Sequence, residues 1–355
     1  NVVVWQFVTK AVPVVDTPPG NDYVWPGETA QFSAVFNSNT AVTGANWYLD
    51  GAALSSPDVS ITSLGGNLYE VTLTIASAAA ADDGAYTCEA VNSEGTSDPS
   101  PEAYLAVKRM LAEWTFENNT LDTTGVYNAT PLISETYEAG AAAGLAAVTF
   151  PDPAGGSFQV LELPDGFANF KAGLTVSTWF RMDALSNTQA RVIQINGNDL
   201  ALRSWDDGTA IRVYPADGSD GERVDGVITR GEWQHIAFTV DSNDVFKIYS
   251  NGETISTGTA GDRAYGVRSN NLIGGGDTTS MDDEFVGAID MIKILNYGAS
   301  IEDILTDYHD VAGGYTCLYD IQNDLNGDCV VNLLDFAEMT STWLDCGRFP
   351  ASECQ

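Results

Sequence analysis

The stretch "DLNGDCVVNLLDFAEM", residues 324–339, places oxygen-bearing side chains at positions 1, 3, 5, 9 and 12 of one loop: Asp324, Asn326, Asp328, Asn332 and Asp335. The carbonyl of Val330 falls at position 7. An all-oxygen set suits Ca²⁺, a hard cation that takes roughly six to eight such ligands. The plain alternative is an acidic loop left to water. Leu334, Phe336, Ala337, Met339 and Leu344 follow at spacings available to one apolar face, so a short helix is expected to leave the loop and hold its end.

Cysteine usage bears on the same segment. Of five cysteines, Cys317, Cys329, Cys346 and Cys354 fall within the last 39 residues. An even number in so short a tail points to two disulfides and an oxidising compartment. Four cysteines admit three pairings, and the sequence does not choose between them. Pairing of sequence neighbours, Cys317 with Cys329 and Cys346 with Cys354, is the working expectation. Zinc is the rival, but there is no Cys-x-x-Cys, and the nearest histidine is His309.

Composition limits the partners. With 49 acidic against 15 basic residues, a net charge of −34, the chain as a whole repels nucleic acid and anionic lipid. No apolar run approaches the length that spans a bilayer. The first residue is Asn1 rather than Met, read here as the start of a processed product. At 355 residues the chain is too long for one ordinary core, so two domains and a small module are expected.

From Pro13 to Val107, strand patterns such as "AQFSAVF", "ANWYLDG" and "YEVTLTIA" alternate with turn residues, as in an antiparallel sandwich. The stretch "DDGAYTCEAVNSEG", residues 82–95, resembles the E–F corner and F strand of immunoglobulin domains. The resemblance makes Tyr86 a tyrosine corner two residues before Cys88, and Trp47 the core tryptophan. It also puts Ala34 where that family has the partner cysteine, so Cys88 is expected to be a free, buried thiol packed against Ala34. Ahead of this domain, "NVVVWQFV" is apolar, uncharged and free of proline. It is expected either to pair within its own domain or to complete a sheet in a neighbouring copy.

Only Lys108-Arg109-Met110 separates this domain from the next, so the two are expected to be held in a fixed relation. Residues 111 to about 310 contain "GLTVSTWFRMD", "GEWQHIAFTVDSNDVFKIYSNGE" and "EFVGAIDMIKILNYGAS". Trp179, Trp233 with His235, the hairpin Tyr249 to Gly252, and Gly287 to Asp290 occur in an order that resembles the laminin-G-like, concanavalin-type jelly roll. Members of that superfamily bind sugars or calcium. The resemblance therefore makes Trp205 and Tyr214 candidates for stacking on sugar rings, and Asp122, Asp282 and Asp283 candidates for a second Ca²⁺ site. Glycosidases of this fold carry Glu-x-Asp-x-(x)-Glu, and no Glu-x-Asp occurs here. With only His235 and His309, a Ser-His-Asp arrangement is also hard to build, so no catalysis is expected.

The tail loop has EF-hand spacing with two departures: Gly327 stands at position 4 rather than 6, where Cys329 sits, and position 12 is Asp rather than Glu. Both resemble dockerin repeats, of which this chain holds one rather than two. The expected organisation is a strand extension over 1–12, an immunoglobulin-like domain over 13–108, a laminin-G-like jelly roll over 109–312 and a dockerin-like calcium and disulfide module over 313–355. Such combinations resemble large secreted bacterial surface proteins. The expected role is a non-enzymatic, extracellular structural or adhesive subunit, stabilised by Ca²⁺ and assembling with copies of itself. The alternatives are a carbohydrate-binding module or a component that docks to a cohesin.

Overall fold

The computed structural model describes residues 10–341 apart from 153–157, 184–187, 198–199, 207, 219, 277, 279–282 and 320. "NVVVWQFV", Asp282, Leu344, Cys346 and Cys354 lie outside the described residues. The architecture is mainly β: an immunoglobulin-like sandwich, then a concanavalin A-like jelly roll, with a small helical module carrying a disulfide at the end. The chain divides into two compact units, Asn1–Ile304 and Leu305–Gln355.

The first sandwich pairs Val14–Thr17, Ala30–Asn37, Leu68–Ile75 and Asp58–Gly65 in one sheet, in that order. The facing sheet is centred on Gly84–Asn92, flanked by Ala103–Val107 and Gly44–Leu49. Alternation along Ala30–Asn37 buries Ala30, Phe32, Ala34 and Phe36 and leaves the residues between them facing outward. Trp47 lies opposite Cys88, and Phe32 stacks on Tyr86 with ring centroids 4.5 Å apart. The Tyr86 hydroxyl donates to the Asp82 carbonyl at 2.8 Å, which fixes the corner expected from the sequence. Cys88 is free and buried in the same core as Ala34, and burial pushes its thiol up to about 12. A thiol so reluctant to ionise acts as a small apolar side chain.

In the jelly roll, Leu174–Met182 lies between Gly287–Leu295 and Trp233–Val240 at the centre of an eight-stranded sheet. A seven-stranded sheet faces it, with Arg191–Ile195, Leu200–Trp205, Ala210–Tyr214 and Glu222–Val224 in succession. Phe180, Ile236 and Ile292 from one sheet meet Ile193, Leu202 and Val213 from the other in a shared core. Gly287 is required where it stands: its φ is +145°, and a Cβ there would lie 2.0 Å from the Arg181 carbonyl oxygen.

One element lies outside the strand patterns read from the sequence in this region. Ile301–Ala312 is an α-helix, and its Ile304 covers Ala237 and Tyr249 on the outer face of the larger sheet. Its start is a capping box: Asp303 N–H donates to Ser300 Oγ at 3.1 Å, and Ser300 N–H donates to the Asp303 carboxylate at 3.0 Å.

The two sandwiches share a densely bonded joint. Asn296 accepts from Arg109 N–H at 2.7 Å and donates to the Val107 carbonyl at 3.0 Å. The Asp83 carboxylate accepts from Val107 N–H at 2.5 Å and pairs with the Arg109 guanidinium. Asn169 donates to the Leu105 carbonyl at 2.7 Å, and the Tyr265 hydroxyl donates to Asp50 at 2.9 Å. Trp25 meets Tyr297 edge-on at 4.9 Å.

His235 occupies a strand position with no exposure, its Nε2 2.9 Å from Ser177 Oγ and its ring beside Trp179. Burial, with a smaller contribution from Lys293, lowers its pKa to about 3. A base whose folded pKa lies below its unfolded value of about 6.5 gives stability that is complete above pH 6.5 and is lost as pH falls towards 3. Urea unfolding should therefore show the jelly roll weakening between pH 7 and pH 5. His235→Gln should start less stable but lose up to about 1.4 kcal/mol less per pH unit. Parallel pH curves for the two proteins would contradict a buried neutral imidazole.

Candidate calcium loop and an arginine-bearing sheet face

The tail loop folds around its own carboxylates. Asp324 accepts from the N–H groups of Gly327, Asp328 and Cys329 at 2.8, 3.1 and 2.8 Å. Gly327 and Cys329 both adopt positive φ, 73° and 66°. Position 6, where this loop type turns sharply, thus keeps the left-handed backbone although its residue has a Cβ. Cys329 is also disulfide-bonded to Cys317, with Cα atoms 5.5 Å apart, which ties the strained position to the preceding segment.

At the other end, Asp335 is buried and lies in the first turn of the helix Leu333–Ser341. Its carboxylate accepts from Asn332 N–H at 2.6 Å and Leu325 N–H at 2.8 Å, while Asn332 Oδ1 accepts from Leu334 N–H at 2.7 Å. The Asn332 N–H, aided by Leu325 and Asn326, holds the Asp335 carboxyl below the usual range. Oxygens of Asp324, Asp328 and Asp335 converge to within 4.8 Å of one another, and no other such group occurs among the described residues. Three convergent carboxylates, with Asn326, Asn332 and the Val330 carbonyl in the same loop, form a donor set that fits Ca²⁺. The helix does not bury the face expected of it: Leu334, Phe336 and Met339 are 61%, 54% and 41% exposed.

The candidates for a second cation site have other partners. Asp122 is buried and accepts from the N–H groups of Glu113, Thr124, Val126 and Tyr127 at 2.8–3.1 Å. Burial raises its pKa, but hydrogen bonds from Thr124, Glu113 and Tyr127 outweigh burial and hold it below the usual carboxylate range. It organises its own turn. Asp283 pairs with Arg191 at 2.8 Å and faces Arg203 at 3.8 Å, a setting that disfavours a metal cation. Asp283 and Asp122 belong to no convergent group of acids among the described residues.

Trp205 and Tyr214 share a sheet face, on which Trp205 is partly exposed and Tyr214 is not an open platform. Tyr214 is buried, with Arg203 Nη2 donating to its hydroxyl at 2.6 Å. The guanidinium carbons of Arg203 and Arg212 sit 4.4 and 4.3 Å from the Trp205 ring centroid. These arginines were absent from the sequence-based candidates. The legible signal was one arginine in each of "ARVIQI", "LALRSW", "AIRVY" and "GERVD", in a chain otherwise poor in cations.

Comparison with known proteins agrees with both sandwiches. The profile of the immunoglobulin I-set domain matches residues 13–104, and that of the concanavalin A-like lectin/glucanases superfamily matches residues 155–305. No curated protein sequence matches the chain. The solved structure of titin M4 shares 21% identity over 28% of this chain and 99% of its own, with a TM-score of 0.24. The binding domain of botulinum neurotoxin serotype D shares 16% identity over 57% of this chain, with a TM-score of 0.43; the match spans about half, 51%, of that domain's length. Domains of these two kinds, with a disulfide, fit an extracellular adhesive or carbohydrate-binding module and are typically non-catalytic. No helix among the described residues is long and apolar enough to cross a membrane.

Calorimetric titration of the intact protein with Ca²⁺ checks the loop. Asp324→Ala should weaken binding by roughly tenfold or more, because one charged ligand and the organiser of the turn are lost together. Asp122→Asn should leave the affinity unchanged. Equal affinity in Asp324→Ala and the parent would remove the metal from this loop.

Proposed function

We propose that this chain is a non-enzymatic, extracellular adhesive protein in which two sandwiches form one rigid body and calcium orders the tail. The joint at Asp83, Arg109 and Asn296 carries this reading, because side-chain and backbone bonds there leave the linker no slack. Rigid coupling suits a protein that transmits load or presents a surface. Burial of His235 in a packed strand also favours a non-catalytic role for this histidine.

In this reading the chain is a repeating subunit of a surface filament or layer, with sheet edges pairing between copies. Val14–Thr17 supports it: among the described residues the strand ends its sheet, pairs with Ala30–Asn37, and leaves Val14 63% exposed. A second reading, carbohydrate binding by the jelly roll, is favoured by the aromatic and guanidinium groups gathered on the outward face of its smaller sheet.

Negative-stain microscopy of the protein with calcium, then with a chelator, separates the readings. Ordered filaments or sheets that fray on chelation are the expected outcome. Monodisperse single particles in both conditions would sink the assembly reading and leave ligand binding by the jelly roll in front.

A further inference from the structure

The smaller sheet of the jelly roll carries four of the chain's ten arginines in one cross-strand row. Arg191 lies opposite Arg203, Arg203 opposite Arg212, and Arg212 opposite Arg223. At about 4.8 Å per strand the row spans roughly 14 Å. Leu202, Ile211 and Val213 alternate with these residues and enter the core, so the arginines share the face that points away from it. Like charges directly opposite on neighbouring strands destabilise a sheet. In a chain of net charge −34, a row of four is hard to explain as a stabilising device.

The ends and the middle of the row differ. Arg191 is paired with Asp283, and Arg223 with Asp206 and Asp225, at 2.6–2.8 Å. Arg203 has its nearest carboxylate 3.8 Å away, and Arg212 has no ion pair among the described residues. Among the described residues the Nε atoms of both are buried without a hydrogen-bond partner, and Arg203 is only 6% exposed. Burial lowers the Arg203 pKa, and the neighbouring Arg191 charge adds to this, so its cation lies in a setting that disfavours it. A buried guanidinium short of a counter-charge is costly unless an anion completes it. Trp205, against which both guanidinium groups stack, adds a partly exposed ring of the kind that takes the apolar face of a pyranose. The exposed end of the row, with Arg223 at 42% side-chain exposure, leaves a way in from solvent.

We infer that this face binds a carboxylate-bearing polysaccharide, with uronate groups seated on Arg212 and Arg203 and a sugar ring on Trp205. The inference rests on the carbohydrate-binding reading and specifies its ligand. Carboxylate is favoured over sulfate because the flanking arginines already hold planar carboxylates, the geometry that the guanidinium fork matches. The acidic surface elsewhere repels a polyanion, but screening over about 8 Å at physiological ionic strength confines that repulsion and leaves the row as a local reversal of sign.

The test is calorimetric titration of the full chain with polygalacturonate, dextran sulfate and neutral dextran at physiological ionic strength. A chelator is present throughout, so that calcium cannot bridge an acidic protein to an acidic polymer. Binding to polygalacturonate alone or most tightly is expected. Arg212→Gln should weaken it about tenfold or more, the loss expected of a charge-assisted pair, and Trp205→Ala should weaken it as well by removing the stacked ring. Arg181→Gln, on the other sheet, should bind like the parent. Thermal unfolding of each variant shows whether it has folded, and the partial exposure of Trp205 makes its variant the safer one. Tighter binding to dextran sulfate, or loss of binding in Arg181→Gln as well, overturns the assignment. Binding to neutral dextran without polygalacturonate overturns the uronate inference but keeps the carbohydrate reading. Binding to none of the three removes both and leaves the microscopy to decide on assembly.

Discussion

The joint between the two sandwiches is organised around one largely buried carboxylate. Asp83 sits at the end of the first sandwich, where burial raises its pKa and the Val107 N–H and Arg109 guanidinium oppose that rise. Removing a carboxylate from water is tolerated only when its oxygens are fully engaged. One partner, Val107, ends the first sandwich and the other, Arg109, lies in the linker, so satisfying Asp83 also fixes the chain where one sandwich passes into the next. Asn296 repeats the device from the far side, bonding Arg109 N–H and the Val107 carbonyl together. The shortness of Lys108-Arg109-Met110 then becomes a geometric consequence: a longer linker would not present both partners at once.

The sequence made some of these features legible and hid others for physical reasons. Period-two alternation and the Asp-x-Gly-x-Tyr-x-Cys corner exposed the first sandwich, because each residue there answers to neighbours close in the chain. The tail loop was legible for the same reason, since its ligands lie within twelve positions. The arginine row was not, because it exists only through strand register. Arg191, Arg203, Arg212 and Arg223 become neighbours once three hairpins are in place, with a bulge after Arg191 shifting that strand's register. Asp122 misled for a related reason. An acid in an Asn- and Thr-rich loop has the same composition whether it meets a cation or the N–H groups of its own turn.

Charge is distributed with a division of labour. In the tail three acids, Asp324, Asp328 and Asp335, converge. Eight of the ten arginines lie in the jelly roll, and several point into structure rather than water: Arg263 and Arg268 are buried and bond the carbonyls of Phe170 and Phe167. Against that background the centre of the row stands out, because the close ion pairs are made at its ends and Arg203 reaches Asp283 only at 3.8 Å.

The central claim is that the two sandwiches move as one body, and a distance measurement tests it most directly. Spin labels on Cys residues replacing Ser63 in the first sandwich and Thr254 in the second, both exposed positions, report the separation by double electron–electron resonance. The buried thiol of Cys88, with its pKa raised to about 12, should stay unlabelled. A single narrow distance distribution is predicted. A broad distribution, as two domains on a flexible tether give, would contradict the account.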